Sequence, residues 1–132
     1  MRRALLVFGL LCLLSGCSPK GRNPEAEQRV ELFHQLYNSD RFGQVYEQSS
    51  PMFQQTSSFE EFVGLLKSTR DSLGSVKHSQ LKAVSYEGLI RQRPILVYVT
   101  EFDRGSASEV FTFDNSDPPR LVHYNLTVSA VR

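Results

Sequence analysis

The chain predicts an α+β domain in which three N-terminal helices pack on one face of a bent antiparallel four-stranded sheet. A short hydrophobic leader precedes it. Three observations carry this expectation. Between residues 24 and 74 apolar side chains recur every three or four positions, whereas from residue 76 onward they recur every second one. The two patterns are segregated rather than interleaved, which favours an antiparallel sheet with helices to one side over parallel βαβ units. The first sixteen residues follow neither pattern, and set themselves apart from what comes after.

Met1-Arg2-Arg3 is basic, and Ala4 to Leu14, "ALLVFGLLCLL", is almost wholly apolar. A run of about a dozen residues is too short for a hydrocarbon core that needs roughly twenty. A charged start, a short apolar run and then small residues make a secretory signal peptide. Leu14-Ser15-Gly16-Cys17 resembles the bacterial lipobox, a leucine and two small residues before a cysteine. That resemblance implies diacylglycerol on the Cys17 thiol, cleavage before Cys17, acylation of the new amino group, and a lipid-anchored place in the cell envelope. Ser18 after the cysteine, in place of Asp, resembles the outer-membrane choice in a host with two membranes, on its periplasmic face. The expected divisions are a signal peptide over 1–16, a lipidated cysteine and tether over 17–23, and one α+β domain over 24–132.

Several function classes fall away on composition. Cys12 would leave with the leader, so the mature chain keeps one alkylated cysteine and can form no disulfide and no cysteine-based zinc site. Removing Arg2 and Arg3 from fifteen basic residues leaves thirteen against fourteen acidic ones. A near-neutral balance argues against nucleic acid as a partner. Nine Phe and five Tyr supply enough large buried surface for a core without staples.

The tether, Ser18 to Arg22, has Pro19, Gly21 and no periodicity. Five or six extended residues reach about 20 Å at most, so the folded domain would ride close to the bilayer. Lys20 and Arg22 could each add on the order of 1 kcal/mol of attraction to anionic headgroups, or be simply solvated.

Asn23-Pro24-Glu25 marks a helix start, as cap, first-turn proline and dipole-matching acid. Ala26, Val30, Phe33 and Tyr37 form its stripe. A short second helix, Arg41 to Gln48, carries Phe42, Val45 and Tyr46, and Ser49-Ser50-Pro51 stops it. Met52 and Phe53 are expected to plug a loop. A third helix opens at Ser57-Ser58 with Glu60 and Glu61 in a capping box, buries Phe62, Leu65, Leu66, Thr69 and Leu73, and exits at Gly74.

Four strands are then expected. In Val76 to Tyr86 the apolar phase slips between even and odd positions, which is what a bulge produces. Ile95 to Asp103 is apolar on both faces and suits a central strand. Arg104-Gly105-Ser106 turns into Ala107 to Phe113, where Glu109, Phe111 and Phe113 share a face. After "NSDPP", Leu121 to Ala130 alternates, with Val122, Tyr124, Leu126, Val128 and Ala130 inward.

This order resembles the nuclear-transport-factor-2-like cone of the cystatin-like class, and the mature chain resembles small bacterial lipoproteins of unknown function with that domain. The resemblance is carried by "FHQLYNSDRFGQVYEQSSPMFQQTSSFEEFVGLL", "RDSLGSV", "YVTEFDRGSASEVFTF" and "YNLTV". It implies a cone whose sheet face commonly dimerises, and it brings no catalytic residue to this chain.

No chemical motif stands out. His34, His78 and His123 are expected on a helix surface and two sheet surfaces, which is no metal site. There is no nucleophile elbow, phosphate loop or zinc-hydrolase signature. Arg91-Gln92-Arg93 is a solvated basic turn. Glu101 and Asp103 share a strand face near Glu109, but Arg104 stands beside them as a neutralising charge. Glu109 is the exception, since burial beside Phe111 and Phe113 would demand Tyr98, Tyr124 or an arginine as partner. Phe33, Tyr37, Tyr98, Glu109 and Tyr124 are therefore the candidate cavity residues. The expected function is a non-catalytic, membrane-anchored interaction module, with Cys17 in the lipid. Ile95, Val97, Val99 and Val110 would offer a homodimer or another protein an apolar sheet face. The alternative is a small-ligand binder or enzyme using the cone.

Overall fold

The structure is a computed structural model that describes residues 21–131. The leader, Cys17 and the first residues of the tether lie outside the described residues. Four helices precede four strands: α1 (Pro24–Asn38), α2 (Phe42–Glu47), α3 (Pro51–Thr56), α4 (Phe59–Leu73), β1 (Val76–Glu87), β2 (Arg93–Phe102), β3 (Gly105–Phe113) and β4 (Leu121–Val131). The sheet is antiparallel with strand order β1-β2-β3-β4, and the protein is α+β. No helix of the described residues is long and apolar enough to cross a membrane.

Local chemistry explains the helix starts. Asn23 Oδ1 accepts the Ala26 N–H at 3.1 Å, and Pro24 follows at the first helical position. Ser58 Oγ accepts the Glu61 N–H at 3.2 Å. The expectation of three helices is corrected to four, because the segment read as a loop is helix α3. Its cap is Ser50, whose Oγ accepts the Phe53 N–H at 3.1 Å, with Pro51 at the first position. The serine-proline pair that stops α2 therefore also starts α3. Phe53 is buried and Met52 stays half-exposed. On α4 the stripe is narrower than expected, since Leu65 is exposed while Phe62, Leu66, Thr69 and Leu73 are buried.

Helix and sheet are bolted together at one corner. Asn38 donates to the Val76 carbonyl at 3.0 Å and accepts the Val76 N–H at 2.8 Å, so the end of α1 holds the first residue of β1. Tyr37 donates to the Gly74 carbonyl at 2.8 Å. Gly74 has φ +84°, and a Cβ there would stand 2.6 Å from the Asp103 carboxylate oxygen that accepts the Ser75 N–H at 2.8 Å. Gly74→Ala is therefore expected to destabilise the domain by more than about 1 kcal/mol. The urea midpoint should fall with the slope unchanged.

Two register shifts interrupt the β1–β2 ladder, between Val76 and His78 and between Leu81 and Ala83. The second lies where the apolar phase of the sequence slips. Two more interrupt β3–β4, at Ser106/Ala107 and Thr112/Phe113, whereas β2 and β3 pair without a break. The unpaired residues are Lys77 and Lys82 on β1 and Val122 and Ser129 on β4.

Alternation then sorts the faces. Leu96, Tyr98, Thr100 and Phe102 of β2 and Ala107, Glu109, Phe111 and Phe113 of β3 are buried under the helices. Ile95, Val97, Val99 and Val110 point the other way. The core centres on Phe111, which is fully buried, with Phe33, Tyr124, Tyr98 and His34 around it at ring separations of 5.1 to 5.9 Å. Most of these pairs meet edge to face, the arrangement the ring quadrupole favours.

Candidate functional site

The chemistry of the molecule gathers at Glu109. Strand alternation aims its side chain into the core, where it is 1% exposed. Thr100 and Tyr124 lie on the two neighbouring strands, each displaced diagonally from Glu109 by the register. Thr100 Oγ1 donates to Glu109 Oε1 at 2.6 Å, and the Tyr124 hydroxyl donates to Oε2 at 2.5 Å. From above, α1 sends down His34, whose Nε2 lies 2.7 Å from Oε1.

The Thr100 and Tyr124 hydroxyls converge on one carboxyl group, and His34 Nε2 lies against the same oxygen as Thr100. These partners favour the ionised carboxylate, which has only lone pairs to offer, so His34 Nε2 is its donor. Burial alone would raise the Glu109 pKa. The hydrogen bond and charge of His34, with the Thr100 and Tyr124 hydroxyls, outweigh it and hold the group below its ordinary 4.5. Burial and the adjacent carboxylate push the Tyr124 phenol well above its usual 10.

His34 also faces outward. The imidazole keeps 9% of its surface and forms part of the floor of a groove between α1 and β1, about 870 Å³ in volume. Gln28, Glu31 and Gln35 of α1, Lys77 and His78 of β1, and Tyr98 of β2 are among its other lining residues, with the Arg22–Glu27 pair also in the lining. Among the described residues no buried side-chain nitrogen or oxygen lacks a partner, so His34 Nδ1 is left to the groove. With Nε2 fixed as the donor to the carboxylate, Nδ1 presents a polar group of set direction to the groove. Tyr98 is pushed up to about 12, first by burial and then by the nearby Glu27, with Arg22 opposing.

The five residues singled out in the sequence fall into three places. Phe33, Glu109 and Tyr124 meet in the filled interior, with Phe33 and Tyr124 rings 4.8 Å apart. Tyr98 sits directly across the ladder from Glu109 yet forms part of the groove wall instead of bonding to it. Tyr37 is buried near Phe102, its phenol raised above the usual range by burial, and serves the Gly74 carbonyl. Glu101, Asp103 and Glu109 do not cluster, since Glu101 is exposed, Asp103 holds the Ser75 N–H and Arg104 binds the Asp71 and Ser72 carbonyls at the end of α4. His78 and His123 are exposed on strands. His34, expected at the helix surface, is buried instead, and Thr100 joins it as the second residue that sequence reasoning left out. Among the described residues no group of three or more His, Cys, Asp or Glu could hold a metal ion.

No family model matches the chain, and no curated protein is similar enough to count as a match. Fold and site alone define the class, a small α+β domain with a sealed polar centre beneath an open groove.

Proposed function

We propose that the protein is a lipid-anchored envelope lipoprotein whose cone of the nuclear-transport-factor-2-like kind works as a non-catalytic interaction module. Acylated Cys17 is its membrane link, on the periplasmic face of the outer membrane where the host has two. The observation that carries the interaction reading is the outward face of the sheet. Val97 lies between Ala83 and Val110 across the ladders, Ile95 and Val99 flank it, and their neighbours Thr112, Ser108 and Gln80 are uncharged. An aliphatic centre with uncharged direct neighbours, bordered by Lys82 beside Gln80 and by Glu101 beyond Val99, suits a second copy or another envelope protein. Glu109 weighs against catalysis in the interior, because both its oxygens are already engaged.

The test uses the full chain in a bacterial envelope, labelled with palmitate and carrying a photo-crosslinking side chain at Val99. The expected result is label that Cys17→Ser abolishes, with a discrete crosslinked product at twice the chain mass or at the mass of a partner. Val97→Lys should remove that product. Anchored chain that crosslinks to nothing sinks the interaction reading, and unlabelled wild-type chain sinks the anchor.

The small-ligand alternative is favoured by one observation, the groove above His34. Its volume lies within the ordinary range for ligand sites. Its polar lining and single oriented imidazole nitrogen suit a hydroxyl- or amide-bearing molecule, which can both donate and accept. Binding in a native-mass screen that His34→Phe abolishes would place function there.

A further inference from the structure

The turn between β1 and β2 ends in two aliphatic side chains with nothing on them. Leu89 and Ile90 are 101% and 95% exposed, well beyond the other exposed apolar residues described. The turn has a defined shape. Gly88 has φ +100°, and a Cβ there would meet the Arg91 carbonyl at 2.9 Å, so the tip is set by backbone that only glycine fits. Just behind the tip, Arg93 is held by Glu87 at 3.0 Å and touches Met52 Sδ at 3.3 Å. Arg91, Arg93 and Arg120 line a depression of about 430 Å³ together with the half-exposed Met52.

The start of the described chain is tied to the same hairpin. The Tyr86 hydroxyl, three residues before Leu89, donates to the Gly21 carbonyl at 2.9 Å. Arg22 pairs with Glu27 at 2.5 Å and fixes the entry to α1. Cys17 precedes Gly21 by four residues, which span at most about 14 Å. An acyl chain on that thiol would therefore enter its bilayer beside the hairpin tip rather than beside the opposite end of the sheet.

We propose that the β1–β2 tip is a second membrane contact, in which Leu89 and Ile90 enter the interface of an anionic bilayer while Arg91 and Arg93 meet its headgroups. Two fully exposed aliphatics followed by arginines match the layering of such an interface, apolar below and anionic above. The geometry rests on the lipid-anchor reading of Cys17, and it would hold the outward sheet face in one orientation to the bilayer.

Because the chain contains no tryptophan, one introduced residue reports alone. The full chain carrying Ile90→Trp is reconstituted with vesicles of phosphatidylcholine, alone or mixed with phosphatidylglycerol, with or without acyl-chain-brominated lipid. The expected result is a blue shift and bromine quenching, stronger in the anionic vesicles. Arg91→Glu should cancel that anionic preference, and Leu89→Ser should lower the tip's partition into the bilayer by about tenfold or more, seen as weaker quenching. Val131→Trp, at the far end of the sheet, should show neither effect. Emission from Ile90→Trp that matches Val131→Trp, or a blue shift without bromine quenching, overturns the proposal, the latter because it means a protein contact. The mass at residue 17 of the same sample reports the anchor separately, and whatever it shows, the Ile90→Trp emission decides the tip.

Discussion

Glu109→Ala is expected to destabilise the domain by about 3–5 kcal/mol, the usual cost of removing one partner from a buried charged pair. The loss comes less from the missing bonds than from what they leave behind. His34 Nε2, the Thr100 hydroxyl and the Tyr124 hydroxyl would all lose their acceptor in a dry interior. Against the 5–15 kcal/mol typical of whole domains, that loss leaves little margin. Glu109→Gln should cost less, because one oxygen still accepts, yet its amide would face a donor. Glu109→Leu combined with His34→Leu should recover much of the loss, since an apolar replacement of the whole pair leaves fewer unpaired groups. Urea titrations of the three variants give the order, and a double variant worse than Glu109→Ala alone would contradict this account. The same group sets an acid limit. Its folded pKa lies below the 4.5 it has when unfolded, so as pH falls the unfolded chain takes the proton first. The stability it contributes is complete above 4.5 and is lost as pH drops through the folded value, and Glu109→Gln should flatten that slope.

Phe111→Ala is the second large expectation, at about 3–5 kcal/mol. Phe111 is fully buried, touches the rings of Phe33, Tyr98 and Tyr124, and stacks parallel to Phe113 at 6.3 Å. Those neighbours come from α1 and from β2, β3 and β4, so no single element can close the void. Calorimetry should show Tm falling by roughly 12–25 °C. Phe111→Leu, which refills most of the volume, should lose well under half as much.

The change of period at residue 75 made the architecture legible, because each half of the chain buries one stripe or one face. Asn23 and Ser58 were legible as caps through the residues that follow them, and the bulge in β1 through a slip in phase. Helix α3 was not, since six residues hold too few turns to show a period, and Ser50-Pro51 stops one helix as readily as it starts another. At the site one half of the pair was visible. Glu109 interrupts an apolar strand face, and that alone raised the question of a partner. His34 gave the matching signal, sitting three or four positions from Val30 and Tyr37 and so inside the buried stripe of α1. Its polarity disguised it as surface. A lone polar residue on the apolar face of a helix and another on the apolar face of a strand are each costly, and each is what the other needs. The two lie 75 positions apart, a distance over which no local pattern can speak.

The placement of the bulges has a consequence for how many copies can live side by side. An open sheet ends in two strands with free hydrogen-bonding groups, here twelve and eleven residues long, and such borders recruit further strands from neighbouring molecules. All four irregularities put their extra residue on these border strands, while the inner pair zips cleanly. Lys77 and Lys82 add charge to one border, and Val122 and Ser129 break the cadence of the other. An incoming strand would meet a broken ladder on either side, so crowded molecules are kept from polymerising through their rims.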